Sequence, residues 1–138
     1  MGYIYALQGR DGCGKSETLK IVFQKLKQKL KIQHSQIHDF FPSSVDLKII
    51  ISSINGIKIG IESQGDPNSR LAQSLVDFEK AGCNIIFCAC RTKGKTVQSI
   101  LSHNKYFHDF TQQTIVAPGQ QAQSNSKMAL NLIKKAGL

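Results

Sequence analysis

The segment that most restricts how this chain can fold is a glycine-rich stretch of eight residues close to its N-terminus, Gly9–Ser16. The stretch has the form glycine, four variable residues, then Gly-Lys-Ser. A short apolar run, residues 3–8, precedes it and has the length of a buried strand. After it, large apolar residues recur at helical spacing from Leu19 to Leu30. The order strand, glycine-rich turn, helix predicts an α/β protein.

The chemistry of this stretch indicates phosphate binding. Glycines let successive backbone N–H groups face one concavity that can surround phosphate oxygens, and the following helix directs its positive end there. In this pattern Lys15 is predicted to bridge the β and γ phosphates, and the Ser16 hydroxyl to ligate Mg²⁺. The residues predicted to bind nucleotide are Gly9, Arg10, Asp11, Gly12, Cys13, Gly14, Lys15, Ser16 and Glu17.

The remaining strands are predicted from short apolar runs. They span residues 36–40, 47–54, 57–62, 84–90 and 114–117. Asn55-Gly56 separates the second and third of these runs, and this dipeptide is typical of a two-residue hairpin. These two strands should therefore be antiparallel to each other.

Helices are predicted between most of these strands. One opens near Pro67 and stops at Ala81-Gly82, a short one carries Val97 and Ile100, and the last ends near Ala136. Alternating strands and helices predict a three-layer α/β fold, with a mostly parallel sheet, one antiparallel hairpin strand and helices on both faces. Residues 1–138 are expected to form a single domain.

The overall charge and hydropathy narrow the partners and the compartment. The formal net charge is +9, which favours polyanionic partners such as nucleoside triphosphates, nucleic acid or acidic membrane surfaces, without choosing among them. Lys20, Lys27 and Lys31 form one basic side of the first helix, a possible surface for nucleic acid or a protein. No apolar stretch approaches membrane-span length and the N-terminus lacks signal-peptide features, so we expect a cytoplasmic protein without a membrane span.

At Gly9–Ser16 the chain resembles the P-loop NTPase superfamily. The resemblance implies a site for ATP or GTP with Mg²⁺ at the carboxyl ends of the parallel strands. It also implies that an acidic residue at the end of a neighbouring strand assists the metal. Glu62 is the best match for that residue, and Asp66 competes with it.

Two subfamilies of this superfamily match different residues. Glu62-Ser63-Gln64-Gly65 looks like the small-GTPase motif D-x-x-G with Glu in place of Asp, in which Gly65 would bond the γ phosphate. The base-reading motif N-K-x-D does not follow the strand at 84–90, where the chain has Arg91-Thr92-Lys93-Gly94. ATP and GTP therefore both remain candidates.

The sequence pattern Asp11-Gly12-x-Gly14-Lys15-Ser16 instead resembles that of thymidylate-kinase-like nucleotide kinases. In that resemblance Asp39 would accept the proton of a phosphate acceptor. The basic residues after a later strand would cover the phosphates, and Arg91, Lys93 and Lys95 stand at that position.

Three functions follow as hypotheses. The first is an NTP hydrolase or nucleotide-driven switch, with Lys15 and Ser16 holding the magnesium triphosphate, Gln64 orienting water and Arg91 stabilising transferred charge. The second is a phosphotransferase with Asp39 as its base. The third is a nucleic-acid-binding module whose affinity the nucleotide regulates.

Overall fold

The computed structural model describes residues 2–53 and 55–138, which form one sheet with helices on both faces. The strands are β1 (Gly2–Gln8), β2 (Ile37–Asp39), β3 (Lys48–Ser52), β4 (Lys58–Glu62), β5 (Ile85–Cys90) and β6 (Tyr106–Gln112). The helices are α1 (Lys15–Lys29), α2 (Leu71–Lys80), α3 (Lys95–Leu101) and α4 (Gln121–Lys135), and a short 3-10 turn spans His34–Gln36.

The sheet has the strand order β2-β3-β4-β5-β1-β6. Strand β1 is parallel to both of its neighbours, β5 and β6, and β4 is parallel to β5. Strand β3 is antiparallel to both β2 and β4. The expected α/β class, with a mostly parallel sheet and an antiparallel hairpin strand, is confirmed.

The hairpin between β3 and β4 differs in detail from its prediction. Ser53 N–H donates to the Ile57 carbonyl at 2.9 Å, so the ladder closes on this pair. Three residues then lie between the closing pair, not two, and Gly56 takes a φ of +80°, as expected of glycine in a longer hairpin loop. The predicted strand end at Ile54 lies outside the described residues.

Successive side chains of the sheet pack into two separate hydrophobic cores, one on each face. Tyr5 and Leu7 of β1 pack with α1 and α4 on one face, whereas Ile4 and Ala6 pack with α2 and α3 on the other. This alternation follows from the two-residue period of a strand. Each fully buried aliphatic side chain stabilises the fold by about 1.5–3 kcal/mol.

The predicted last strand is wrong. Residues 114–117 have no regular structure, and Ile115 is exposed, while the strand lies earlier, at β6. The sequence of β6, Tyr-Phe-His-Asp-Phe-Thr-Gln, contains too many polar residues to be recognised as an apolar run. The strand lies at the edge of the sheet and has one neighbour. An edge strand that is half exposed does not need an apolar run.

Helix α2 also begins later than predicted. Residues 66–69 form a turn in which Ser69 N–H donates to the Asp66 carbonyl at 3.2 Å, and Asn68 has a φ of +64°. Its end is confirmed, because Gly82 has a φ of +80° and caps the helix through Glu79. Among the described residues, no helix combines the length and apolar character needed to cross a bilayer.

Candidate functional site

A pocket of about 350 Å³ lies at the carboxyl edge of the parallel strands. The glycine-rich loop Gly9–Ser16 follows β1 and forms one wall, and residues 63–66 follow β4 and form another. The lining residues are Asp11, Gly12, Cys13, Gly14, Lys15, Ser16, Glu17, Asp46, Ser63, Gln64, Gly65, Asp66, Gln121 and Asn125. Seven of the nine predicted nucleotide-binding residues therefore line it; Gly9 and Arg10 lie outside this lining.

The glycine-rich loop curls because its glycines occupy conformations that other residues rarely adopt. Gly12 has a φ of +73° and Gly14 a φ of +101°. Gly14 also packs tightly, since a Cβ there would lie 3.0 Å from Oδ1 of Asn125. Its carbonyl accepts the Thr18 N–H at 3.0 Å and starts α1. Both conformation and space thus require glycine at Gly14.

Lys15 carries its ammonium group inside the loop. The side chain is 7% exposed, and its Nζ donates to the carbonyls of Gly9 and, at 3.2 Å, of Arg10. Burial lowers the pKa of Lys15, and the nearby Arg91 charge lowers it further. A desolvated cation beside backbone carbonyls is stabilised by an incoming anion.

Ser16 is joined to a carboxylate that the sequence analysis did not single out. Its Oγ donates to Oδ1 of Asp46 at 3.0 Å, and Ser63 Oγ donates to the same oxygen at 3.0 Å. Ser63 Oγ also accepts the Leu47 N–H at 2.8 Å. Asp46 therefore lies between the glycine-rich loop and the loop after β4.

Strand direction explains why Asp46 was missed. It precedes β3, whose first residue Lys48 pairs with Glu62 at the end of β4. Because β3 is antiparallel, its amino end meets the carboxyl ends of the parallel strands. The resemblance implied an acidic residue at or after the end of a strand, whereas Asp46 stands before one. An acidic residue just before the predicted hairpin was the signal that could have identified it.

Glu62 lies outside the pocket lining. Its side chain is fully buried and accepts hydrogen bonds from Arg70 Nε at 2.8 Å, Ser74 Oγ at 2.5 Å and the Gln64 N–H at 3.0 Å. Strand β5 separates β4 from β1. The structure thus places Glu62 among protein donors behind the pocket.

Asp66 and Arg91 meet at the rim. Asp66 lines the pocket, and its Oδ1 accepts from Arg91 Nη2 at 3.0 Å and Nε at 3.2 Å. Arg91 follows β5 as predicted and belongs to this ion pair, although it is not among the lining residues. Lys93, on the same loop, and Lys95, the first residue of α3, are exposed.

The loop after β4 contributes Gln64 and Gly65 to the lining. Gln64 is partly exposed. A Cβ on Gly65 would lie 2.5 Å from the carbonyl oxygen of Ala89, so close packing against β5 already requires glycine there.

Two other predicted residues lie at the margin or away from the pocket. Asp39 is exposed on the edge strand β2, and its carboxylate accepts the Phe41 N–H at 3.1 Å. It is not among the lining residues, so the structure does not bring it together with the glycine-rich loop. Glu17 lines the pocket and forms an ion pair with Lys20 at 3.2 Å.

Helix α4 supplies a third wall that the sequence analysis missed. Gln121 and Asn125 line the pocket, and Asn125 Oδ1 accepts from Gln113 Nε2 at 2.9 Å. Gln113 Oε1 in turn accepts from the Thr18 hydroxyl at 3.0 Å. Gln113 and Asn125 are both buried. No sequence signal identified this network, because Thr18, Gln113 and Asn125 are far apart in sequence or on different elements.

The oxygen donors of the pocket fit a hard cation. The Ser16 hydroxyl and the carboxylates of Asp46 and Asp66 line it. Within residues 2–53 and 55–138 there is no cluster of three or more His, Cys, Asp or Glu that could hold a metal. Mg²⁺ bound with phosphates usually relies on one or two carboxylates and keeps several waters, so it does not need such a cluster.

Comparisons with protein-family models, curated proteins and solved structures found no match for this chain.

Proposed function

We propose that this chain binds the magnesium complex of a nucleoside triphosphate, ATP or GTP, in the pocket at Gly9–Ser16 and hydrolyses it as a P-loop NTPase. The observation that carries the proposal is the bond from Ser16 Oγ to Asp46 Oδ1, at 3.0 Å, beside the buried ammonium of Lys15. A cation, a hydroxyl and a carboxylate thus line one pocket where a glycine-rich loop begins a helix. This combination suits a triphosphate with its metal.

Each residue has a separate task in this proposal. The curled backbone of the loop offers its N–H groups to phosphate oxygens, and Lys15 exchanges its carbonyl partners for phosphate charge. Ser16 and Asp46 would hold Mg²⁺, which when bound supplies positive charge to the phosphate oxygens. Gln64, on the pocket wall, orients the attacking water, and Arg91 approaches from the rim.

The position of Asp39 favours hydrolysis over transfer to a second substrate. A general base must come within hydrogen-bond reach of the proton that it removes. Asp39 lies on the edge strand β2, and its carboxylate accepts a hydrogen bond from the Phe41 N–H. Gln64 lines the pocket, and we assign the attacking water to it instead.

Substitution of Lys15 tests the binding site. Lys15→Ala should weaken binding of ATP or GTP at least about tenfold more than binding of the diphosphate, because its charge is directed at the β and γ groups. Calorimetric titration with each nucleotide in MgCl₂ measures both. Lys29→Ala, at the exposed far end of the same helix, is the control and should leave both affinities unchanged. Equal losses for di- and triphosphate would contradict this placement of Lys15.

Phosphate release tests the reaction. The wild-type chain should release inorganic phosphate from ATP or GTP without an added acceptor, and Lys15→Ala should abolish that release. Tight triphosphate binding with no release would refute hydrolysis while leaving the binding site intact.

A further inference from the structure

The buried carboxylate of Glu62 is bonded to the loop after β4 directly and to the loop before β3 through Arg70. Glu62 Oε2 accepts the Gln64 N–H at 3.0 Å, which fixes the loop after β4. Its Oε1 accepts from Arg70 Nε at 2.8 Å. Since Glu62 is fully buried, these bonds are not shared with solvent.

Arg70 extends this hold to the loop before β3. Its second nitrogen, Nη2, donates to the backbone carbonyl of Asp46 at 3.2 Å. The guanidinium carbon also lies 4.6 Å from the centre of the Phe41 ring in that same loop. Only a forked, planar cation can make these contacts together, which distinguishes arginine from lysine.

The carboxylate of Asp46 has its own partners, and these set its orientation. Ser16 and Ser63 both donate to Oδ1, and the bonds described for this carboxylate end on that oxygen. Asp46 is therefore held from two sides. Arg70 bonds its backbone carbonyl, and Ser16 bonds its carboxylate. A substitution of Arg70 is therefore expected to move Asp46, and through Asp46 to alter the hydrogen bond of Ser16.

We propose that Glu62 and Arg70 are positioning residues for magnesium: this ion pair holds the Asp46 and Gln64 loops in place and does not itself touch the metal. This inference rests on the proposed function, and it assigns to Glu62 a role different from the ligand role that its place at the end of β4 suggested. The direct partner of Ser16 is Asp46, and Glu62 acts on it through Arg70.

The test is the magnesium enhancement, defined as the dissociation constant of ATP in EDTA divided by that at saturating MgCl₂, with GTP measured in parallel. The variant pairs Glu62→Gln with Arg70→Met, so that no buried charge is left alone. We expect its enhancement to fall about tenfold, the scale of one charge-assisted hydrogen bond. Its affinity for ATP in EDTA should stay within about threefold of wild type, because the glycine-rich loop is unchanged.

A matched control separates positioning from general stability. Tyr106, at the start of β6, donates its hydroxyl to the Cys83 carbonyl at 2.6 Å; both residues are buried and neither lines the pocket. Tyr106→Phe should lower the melting temperature and leave the enhancement unchanged. An equal loss of enhancement in Tyr106→Phe would overturn the proposal.

Combination with Asp46→Asn separates positioning from direct ligation. If the pair acts through Asp46, adding Glu62→Gln and Arg70→Met to Asp46→Asn should lower the enhancement no further. Losses that add would make Glu62 an independent ligand and overturn the proposal, as would an unchanged enhancement in the double variant. A wild-type chain that binds neither nucleotide would instead refute the proposed function, and this is read from a separate titration.

Discussion

At the scale of single residues, the four cysteines differ sharply in their surroundings. Cys13 belongs to the glycine-rich loop and lines the pocket, whereas Cys83, Cys88 and Cys90 are buried. Burial raises the pKa of Cys83 and of Cys90 to about 12, and it raises the pKa of Cys88 well above its ordinary value. The thiolate is the reactive form, so these three thiols should be inert at neutral pH.

We therefore predict that N-ethylmaleimide labels one thiol of the folded chain rapidly, and that this thiol is Cys13. Saturating ATP or GTP with MgCl₂ should slow the labelling at least about tenfold, because the nucleotide covers the pocket only while bound. Mass spectrometry after timed quenching gives the site and the rate. Cys13→Ser should remove the rapid phase, and rapid labelling of a second cysteine would contradict the prediction.

Arg91 gives a second prediction at this scale. Its guanidinium holds Asp66 at the rim, and a positioned arginine can contribute about 10³–10⁵ to the rate of phosphoryl transfer. Arg91→Ala should lower kcat at least about tenfold and leave nucleotide affinity within a few fold. Phosphate release and calorimetry measure the two quantities.

Lys93→Ala, an exposed neighbour on the same loop, is the control for Arg91 and should keep normal turnover. A fall in oligonucleotide affinity with unchanged kcat in Arg91→Ala would assign this loop to nucleic acid instead.

At the scale of elements, a buried polar network anchors α1 to α4 and to Gln113, the residue directly after β6. The Thr18 hydroxyl lies 3.0 Å from the Gly14 carbonyl and 3.0 Å from Gln113 Oε1, and Gln113 continues to Asn125. Buried networks stabilise a fold when every member has its partner, and they become costly when one is removed. The start of α1, which carries Lys15 and Ser16, therefore depends on residues remote in sequence.

Thr18→Val should lower the free energy of unfolding by about 1–3 kcal/mol, because it keeps the side-chain shape and leaves Gln113 Oε1 without a donor. Urea unfolding followed by circular dichroism measures the loss. Thr92→Val, at an exposed loop position, is the control and should change stability by less than about 0.5 kcal/mol. A Thr18→Val variant as stable as this control would show that the network is not a source of stability.

At the scale of the whole molecule, the pocket joins parts of the chain that are far apart in sequence. Residues before β3, after β4 and within α4 converge on the loop after β1. A ligand that contacts all of them stabilises the folded chain alone, since the unfolded chain has no such site.

We predict that ATP or GTP with MgCl₂, at a hundred times its dissociation constant, raises the free energy of unfolding by about 2.7 kcal/mol. For a chain of 138 residues this corresponds to a rise of several degrees in melting temperature. Differential scanning fluorimetry with and without EDTA measures it, and Lys15→Ala should show a smaller shift. An unchanged melting temperature with both nucleotides would contradict the proposed site.

Local patterns were sufficient for the parts of the fold and of the pocket that adjoin each other in sequence. The strand, glycine-rich loop and helix at Gly2–Lys29 were predicted as a unit, since apolar period and glycine positions act over a few residues. The hairpin was predicted for the same reason. Strand β6 was not, because an edge strand with one neighbour carries no continuous apolar run.

The sequence by itself determined that the chain is α/β, that Gly9–Ser16 forms a curled loop before a helix, and that Lys15 and Ser16 stand at its end. Only the tertiary structure decided which carboxylate meets Ser16. That choice depends on the direction and register of β3, which bring Asp46 to the pocket, while hydrogen bonds from Arg70 and Ser74 keep Glu62 buried behind it. Strand direction and register arise from pairing between distant segments, and no local pattern records them.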